Sequence, residues 1–119
     1  MDFLDVCWHD GNIKSIDYKF PLDKKQKAKI VIIANVATDF DYSDRHDIKI
    51  TFPDTLDITK SIDYEILADN VKTGAISSAR QHQTKIAAKK YMKYEFYLFG
   101  GLISIISKHS KITKLRSSK

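Results

Sequence analysis

The feature that most constrains this 119-residue chain is an alternation of apolar and polar side chains that recurs along it. It is clearest at residues 92–98, and it is also present at residues 12–20 and 47–52. A period of two places every second side chain on one face, which is typical of a β-strand with one buried face. The chain is therefore predicted to be an antiparallel β protein. The side chains predicted to face inward are Ile16, Tyr18, Phe20, Ile48, Ile50, Phe52, Met92, Tyr94, Phe96 and Leu98.

Further strands are predicted between these segments. Residues 29–36 are β-branched and almost continuously apolar, as in a central strand that is covered on both faces. Residues 56–62 follow the strand at 47–52 after a short turn at residues 53 and 54, so these two segments are predicted to form a hairpin. Residues 64–90 have no convincing helix caps and are predicted to be a loop with one short helix.

The end of the chain carries the strongest turn signal. Gly100 and Gly101 stand between the strand at 92–98 and the apolar residues 102–107. Two glycines accept positive φ at both central positions of a turn, which a type I′ hairpin requires. A hairpin is therefore predicted here, followed by a last strand at residues 108–115.

The predicted fold class is all-β and mainly antiparallel. We expect a sandwich or partly open barrel of six or seven strands, with at most one or two short helices. The length fits one core, so residues 1–115 are predicted to be a single domain. Residues 116–119 are predicted to be a frayed basic tail.

Charge is distributed unevenly along the chain. Up to Asp69 there are 9 Lys or Arg against 14 Asp or Glu, whereas from Asn70 onward there are 11 Lys or Arg and a single acid, Glu95. Such asymmetry is typical of a surface that binds phosphate or an acidic partner. Alternatively, antiparallel strands from the two halves lie side by side and neutralise each other.

The expected compartment is the cytoplasm. The chain does not begin with a basic segment followed by an apolar one, and no stretch approaches the roughly 18 apolar residues that span a bilayer. A single cysteine, Cys7, gives no internal disulfide. Frequent Lys and Ile suggest an AT-rich bacterial gene. No membrane association is predicted, and the oligomeric state stays open.

Several residues invite a metal-site interpretation that their context does not favour. His9-Asp10 and His46-Asp47 resemble the pairs of metal-dependent HD phosphohydrolases, but that family builds its site on a helical bundle and these pairs flank predicted strands. Cys7 and His9 lack further zinc ligands at workable spacings. The acidic residues 39–44 lack the Gly and Glu positions of a calcium loop. No metal and no cofactor are predicted.

Catalytic motifs are also missing from the sequence. There is no Gly-x-Ser-x-Gly elbow and no Gly-rich phosphate loop, so an enzyme is not predicted. A cryptic enzyme around His9 and Asp10 is the third alternative.

The tyrosines at 91, 94 and 97 are interleaved with lysines and offer a way to stack bases, which makes a basic nucleic-acid-binding module the second alternative. Core aromatics with solvated lysines explain the same residues, since Tyr94 falls on the opposite strand face.

The order of short motifs resembles immunity family fifty of the bacterial polymorphic toxin systems. The segments that carry the resemblance are residues 8–16, 48–52, 69–71 and 97–105, which read WHDGNIKSI, IKITF, DNV and YLFGGLISI. The resemblance spans nearly the whole chain. It implies no catalysis and no cofactor, and it suggests that His9, Asp10 and Asn70 fix the fold. The net charge of +5 departs from the acidic character of immunity proteins against basic nucleases.

The sequence thus predicts a non-enzymatic, cytoplasmic protein-binding domain. The expected partner is a protein toxin made by the same bacterium, which the chain would neutralise. Two segments of opposite charge are predicted to bind that partner, an acidic one and a basic one. Their residues are Asp39, Asp41, Asp44 and Asp47, and Lys85, Lys89, Lys90 and Lys93. Residues predicted to fix the fold are His9, Asp10, Asn70, Gly100 and Gly101.

Overall fold

The structure, a computed structural model, describes residues 2–23, 27–37, 44–62 and 75–117, with only the main chain at 116 and 117. Eight antiparallel strands and one short 3-10 turn account for most of them. The all-β prediction is confirmed, with one strand more than the upper number expected. The elements are η1 (Phe3–Asp5), β1 (Cys7–Lys19), β2 (Ala28–Ala37), β3 (Arg45–Thr55), β4 (Asp57–Ile62), β5 (Ile76–Ile86), β6 (Lys89–Leu98), β7 (Gly101–Ser107) and β8 (Lys111–Ser117).

The strands form two four-stranded sheets that pack face to face as an open sandwich. Sheet A has the order β1-β2-β3-β8, and sheet B has the order β4-β7-β6-β5. The predicted central strand is β2, which lies between β1 and β3. The predicted last strand is β8, and it ends at Ser117, inside the segment predicted to be a frayed tail.

Strand β1 crosses sheet B from one edge to the other. Near its start, Asn12 bridges to Ala75 beside β5. Near its end, the hydroxyl of Tyr18 accepts a hydrogen bond from Lys60 Nζ of β4, at 3.4 Å. Because β4 and β5 are the two edge strands of sheet B, β1 contacts both edges of the opposite sheet.

The predicted hairpin of residues 47–52 and 56–62 is wrong. Strands β3 and β4 belong to different sheets and are separated only by Leu56. The chain turns a corner here, with Asp54 at φ 53° and the Leu56 N–H donating to the Ile106 carbonyl at 2.8 Å. Pro53 and Asp54 signal a bend, but the sequence pattern does not distinguish a reversal from a corner between sheets.

The predicted loop and helix are also wrong where the structure describes them. Residues 76–86 form β5, and β6 begins at Lys89, so the two strands make a hairpin with a two-residue connection. Ala87 and Ala88 have φ values of 52° and 64°. Positive φ at both central residues is the pattern of a type I′ turn, which normally uses Asn or Gly. Alanine gives no turn signal in the sequence, which is why the hairpin was missed.

The hairpin predicted at Gly100 and Gly101 exists, but its type I′ turn is wrong. Leu98 pairs with Gly101, so the central residues are Phe99 and Gly100, and of the two glycines Gly100 alone has positive φ, at 131°. Gly101 is constrained differently. A Cβ on Gly101 would overlap the Ser61 carbonyl oxygen and lie 2.9 Å from the Ile62 Cα, so the close approach of β4 requires glycine.

The core between the sheets is aromatic at its centre and aliphatic around it. Phe3, Trp8, Phe52, Tyr94 and Phe96 are all buried. Most of the side chains predicted to face inward are buried or half-buried, including all three from β3. Two are not. Tyr18 and Phe20 have exposed fractions of 36% and 78%, and they lie where β1 ends, at the margin of sheet A.

The alanine turn between β5 and β6 gives a stability prediction. A left-handed conformation costs a residue with a Cβ roughly 1–2 kcal/mol. Replacing Ala87 by Asn and Ala88 by Gly should therefore raise the free energy of unfolding by about 1–2 kcal/mol and the melting temperature by about 4–8 °C. Thermal unfolding followed by circular dichroism measures this.

The control for this variant is Ala79→Gly in the middle of β5. Glycine in a strand interior should lower the free energy of unfolding by roughly 0.5–1 kcal/mol. An unchanged or lower melting temperature for the double variant would contradict the turn assignment.

Candidate partner-binding surfaces

The acidic segment predicted to bind a partner is engaged within the protein where the structure describes it. Asp39 and Asp41 lie outside the described residues. Asp44 Oδ2 lies 3.0 Å from His46 Nε2. Asp47 accepts hydrogen bonds from Lys14 Nζ at 2.9 Å and from Asn35 Nδ2 at 3.0 Å. Both described carboxylates therefore have partners on sheet A.

Asp47 belongs to a polar network on the outer face of sheet A. Asn35 accepts a hydrogen bond from Arg45 Nε at 2.8 Å, and Arg45 Nη2 donates to the Asp10 carbonyl at 3.0 Å. The hydrogen bonds from Asn35 and then Lys14 favour the ionised carboxylate and lower the pKa of Asp47, against a smaller opposing effect of burial. The network links β1, β2 and β3, so its residues have a structural role in sheet A.

His9 and Asp10 lie where β1 passes the edge of sheet B. The Nδ1–H of His9 donates to the Ser77 carbonyl at 3.0 Å, and its Nε2 lies 3.7 Å from Asp10 Oδ2. Asp10 has φ 63°, within an irregularity of the β1–β2 ladder between Cys7 and Asn12. His9 therefore joins β1 to β5, and the role of both residues in fixing the fold stays a prediction. Asn70, assigned the same role, lies outside the described residues.

The basic segment forms the tip of the β5–β6 hairpin. Lys85 lies directly opposite Lys90, and Lys89 opposite Ile86. These three lysines are exposed, whereas Lys93, opposite His82, is half-buried. None of the four makes a salt bridge with another described residue. The structure therefore brings these lysines together, on a different sheet from Asp47.

The tyrosines of β6 are not arranged as an open stacking platform. Tyr94 is in the core, whereas Tyr91 and Tyr97 point to the outer face of sheet B. Arg80 lies over the Tyr97 ring at 5.4 Å and Lys108 over the Tyr91 ring at 6.0 Å. The Tyr97 hydroxyl donates to Glu95 at 3.0 Å; this hydrogen bond and desolvation raise the pKa of Tyr97. Each outward ring thus already has a cation on one face.

A polar cleft of about 420 Å³ lies between η1 and β6. Tyr94 and His109 line it together with Asp2 and Asp5. Burial raises the pKa of Tyr94, although hydrogen bonds with Ser110 oppose this effect, so the phenol is not activated as a base. Among the described residues, no three His, Cys, Asp or Glu side chains are grouped to hold a metal ion.

An apolar group that the sequence pattern does not predict lies at the open end of the sandwich. Phe20 and Leu22, just after β1, have exposed fractions of 78% and 88%, and Leu56 at the corner between sheets has 49%. Tyr18 and Phe20 follow Ile16 at two-residue spacing, so the alternation of apolar and polar residues predicts that all three side chains face the core. Pro21, which ends the strand, is the signal that the strand was leaving the core at this point.

Comparisons of the chain with protein-family models, with curated proteins and with solved structures give no match. In the part of the chain that the structure describes, no helix has the length and apolarity needed to span a membrane. The functional interpretation therefore depends on the surfaces described above and on the resemblance in the sequence.

The Asp47 network gives a prediction about pH. Folding lowers the pKa of Asp47. The stabilisation that its ionised carboxylate gives to the folded protein is therefore complete above the ordinary carboxyl pKa of about 3.9, and it is lost as the pH falls through the lower pKa that Asp47 has in the folded protein. Asp47→Asn should therefore lower the melting temperature at pH 7. The difference from the wild type should shrink as the pH falls from about 4 to about 2.

Asp17→Asn is the matched control, since it removes the same charge from an exposed position of β1. It should leave the melting temperature at pH 7 nearly unchanged. A difference between Asp47→Asn and wild type that stays constant down to pH 2 would show that the ionised carboxylate does not stabilise the network.

Proposed function

We propose that this protein is a non-enzymatic binding domain whose β5–β6 hairpin docks onto an acidic surface of a protein partner. The observation that carries the proposal is the group of lysines at the hairpin tip, which form no salt bridge with another described residue. We further propose that the partner is a toxin made by the same bacterium and that the chain is its antidote in the cytoplasm.

The hairpin tip carries two features that cost stability. Lys85 and Lys90 face each other across the strands, and like charges in that position are destabilising. Ala87 and Ala88 take a left-handed conformation that alanine disfavours. Unfavourable features of this kind cluster at functional sites more often than elsewhere. A concentrated positive potential would both steer and orient an acidic partner.

The arrangement of the sheets supports a localised positive surface. Three strands of sheet A come from the acidic half of the chain, and three strands of sheet B come from the basic half. Among the described strands, the pairs β3–β8 and β4–β7 join the two halves, and Asn12 of β1 also bridges to Ala75 beside β5. Strands β5 and β6 pair with each other inside the basic half, so the lysines at their tip have no described acidic residue opposite them in the ladder.

The choice of a toxin as the partner depends on the resemblance at residues 8–16 and 97–105. Within the structure these residues lie in β1 and in the β6–β7 hairpin, away from the lysine tip. They would thus be the shared scaffold of the family, and the tip would be the part that selects the partner. A net charge of +5 favours an acidic toxin surface over a basic nuclease.

Nucleic-acid binding is the second candidate, favoured by the alignment of Tyr91 and Tyr97 beside basic residues. The cations over both rings count against it, because a base would have to displace Arg80 or Lys108 to stack on those faces. A cryptic enzyme around His9 and Asp10 is the third candidate. The hydrogen bond that the His9 Nδ1–H donates to the Ser77 carbonyl at 3.0 Å counts against it, because it ties the imidazole to the main chain of β5.

Charge reversal of the hairpin tests the proposal. The double variant K85E/K90E should weaken the complex with the toxin domain encoded beside this protein by at least about tenfold, because it places two carboxylates against an acidic surface. Titration calorimetry measures the affinity, and rescue of cells that co-express the toxin measures the antidote activity.

The matched control is K49E/K111E, which makes the same change in net charge on exposed positions of sheet A. It should bind the toxin domain within about twofold of the wild type, since distant charges are screened at physiological salt. Failure of the wild-type protein to rescue cells, with no complex on gel filtration, would end the antidote proposal.

Binding to an oligonucleotide distinguishes the second candidate. A fluorescent single-stranded DNA should bind the wild type weakly and without base-dependent stacking if the proposal holds. Tight binding whose affinity falls steeply between about 50 and 200 mM salt, and which K85E/K90E abolishes, would instead assign the hairpin to phosphate contacts.

A further inference from the structure

The open end of the sandwich carries a group of apolar side chains that are in contact with water. Tyr18 accepts a hydrogen bond from Lys60 Nζ at 3.4 Å, which places the end of β1 beside β4, an edge strand of sheet B. Phe20 continues the inward-facing row of β1, but its exposed fraction of 78% shows that sheet B does not cover it. Phe20 lines one concave surface with Leu56 and an adjoining one with Leu22. Apolar groups that are gathered in this way are typical of an interaction site.

Positive charge lies on the sheet A flank of this end. Lys19 and Lys29 are directly opposite each other in the β1–β2 ladder, and the neighbouring pair contains Ile30, which is buried in the core. Because successive side chains of a strand point to opposite faces, both lysines lie on the outer face of sheet A. Neither makes a salt bridge with a described residue. The sheet A flank is therefore positive, and Asp17 on the same face lies two residues further from the end.

Negative charge lies on the sheet B flank of the same end. Asp57 is opposite Ile106 in the β4–β7 ladder, and the next pair contains Ile105, which is buried in the core. The carboxylate of Asp57 therefore points to the outer face of sheet B, where the Thr59 hydroxyl donates to it at 3.4 Å. Lys93 is on this face too, but β7 separates it from Asp57. The two flanks thus carry opposite charges on opposite outer faces, with the apolar group between them.

We propose that the open end of the sandwich binds a second copy of this chain around a two-fold axis that runs parallel to the sheets. Sheet A of each copy then meets sheet B of the other. The two apolar groups cover each other, and Lys19 and Lys29 of each copy face the partner's Asp57. An isologous contact of this kind uses the same patch on both copies. This interface is separate from the lysine tip of the β5–β6 hairpin and goes beyond the proposed function.

The distribution of charge favours a second copy over other occupants. A two-fold axis parallel to the sheets joins each positive flank to a negative one, whereas an axis that stacked sheet A on sheet A would place lysines against lysines. The charges therefore select both the partner and its orientation. An acidic peptide or an anionic membrane would be attracted by Lys19 and Lys29 but repelled by Asp57. A second copy satisfies both flanks at once.

The end of the sandwich is also large enough for a stable dimer. The molecule measures 42 × 31 × 26 Å. Its smallest cross-section is therefore on the order of 800 Å², which matches the roughly 800 Å² that each partner buries in a standard interface. An apolar centre inside a polar rim is the usual organisation of such an interface.

Sedimentation velocity of the full-length protein tests the proposal in the absence of any toxin. At about 150 mM salt, wild type should form dimers with a dissociation constant in the micromolar range or below, as interfaces of standard size do. Phe20→Ser should raise this constant at least about tenfold, because it removes a central apolar side chain. Phe20 is exposed, so this variant should keep the wild-type melting temperature, and this is checked first.

An exchange of charges tests the orientation of the two copies. K19E/K29E places new carboxylates against the partner's Asp57, and D57K places a new ammonium group against the partner's lysines. Each variant alone should therefore dimerise at least about tenfold more weakly than wild type. An equal mixture of the two variants should restore dimers, because both contacts of the mixed dimer join opposite charges. Native mass spectrometry identifies the mixed dimer by its mass.

The matched control is K49E/K111E, which makes the same change in net charge as K19E/K29E on the same outer face of sheet A. Lys49 is opposite Ile33, and Ile33 is roughly 13 Å along β2 from Lys29. Because charges at this distance are screened at physiological salt, the control should dimerise within about twofold of wild type.

Three outcomes would overturn the proposal. They are wild type that stays monomeric at about 100 μM, dimers that Phe20→Ser leaves unchanged, and a mixture of K19E/K29E with D57K that forms no more dimer than either variant alone. A wild-type dimer that forms no complex with the toxin would retain this interface and remove only the proposed function. A toxin complex formed by a protein that stays monomeric would remove only the dimer.

Discussion

Five aromatic rings hold the two sheets of this protein together. Phe52 from sheet A meets Tyr94 and Phe96 from sheet B edge to face, with ring centroids 5.0 and 6.4 Å apart. Phe3 from the 3-10 turn packs against Tyr94 at 5.0 Å and against Trp8 at 4.8 Å. Edge-to-face pairs contribute roughly 0.5–1.5 kcal/mol each beyond the burial of their area. Phe3, which precedes β1, is therefore part of the core.

The main chain of the first turn is tied to the same cluster. Trp8 Nε1 donates to the Phe3 carbonyl at 2.9 Å, which satisfies the indole N–H inside the core. The corner between β3 and β4 begins immediately after Phe52, and Ser107 of β7 donates a hydrogen bond to the Pro53 carbonyl in this corner. The aromatic contacts thus fix where the chain changes sheets. The corner in turn places Leu56 near Phe20 at the open end of the sandwich.

The alternation of residues was sufficient for the fold class and for most of the core. It succeeded at Ile48, Ile50 and Phe52, because each is covered by the opposite sheet. The alternation was insufficient at Phe20, because two-residue spacing shows which face of a strand a side chain lies on but not where the strand extends beyond its neighbours. The corner at Pro53 and the alanine turn depend on long-range packing, which local residue preferences do not encode.

The surface groups that could bind a partner were predicted only in part. The lysines of the hairpin are close together in the sequence, whereas the apolar group at the open end joins Phe20 and Leu56, which are about 36 positions apart.

The position of β8 has a consequence for how the protein is made. β8 pairs with β3, although β4, β5, β6 and β7 all come between them in the chain. A ribosome therefore releases the partner of β3 after every other strand described here. Until then, the main-chain N–H and C=O groups along that side of β3 have no strand to pair with, beside the apolar side chains of Ile48 and Ile50. An open edge of this kind recruits other chains. A chain that lacks β8 would thus leave this edge of β3 open and be prone to aggregate, so β8 protects the edge of sheet A as well as extending the sheet.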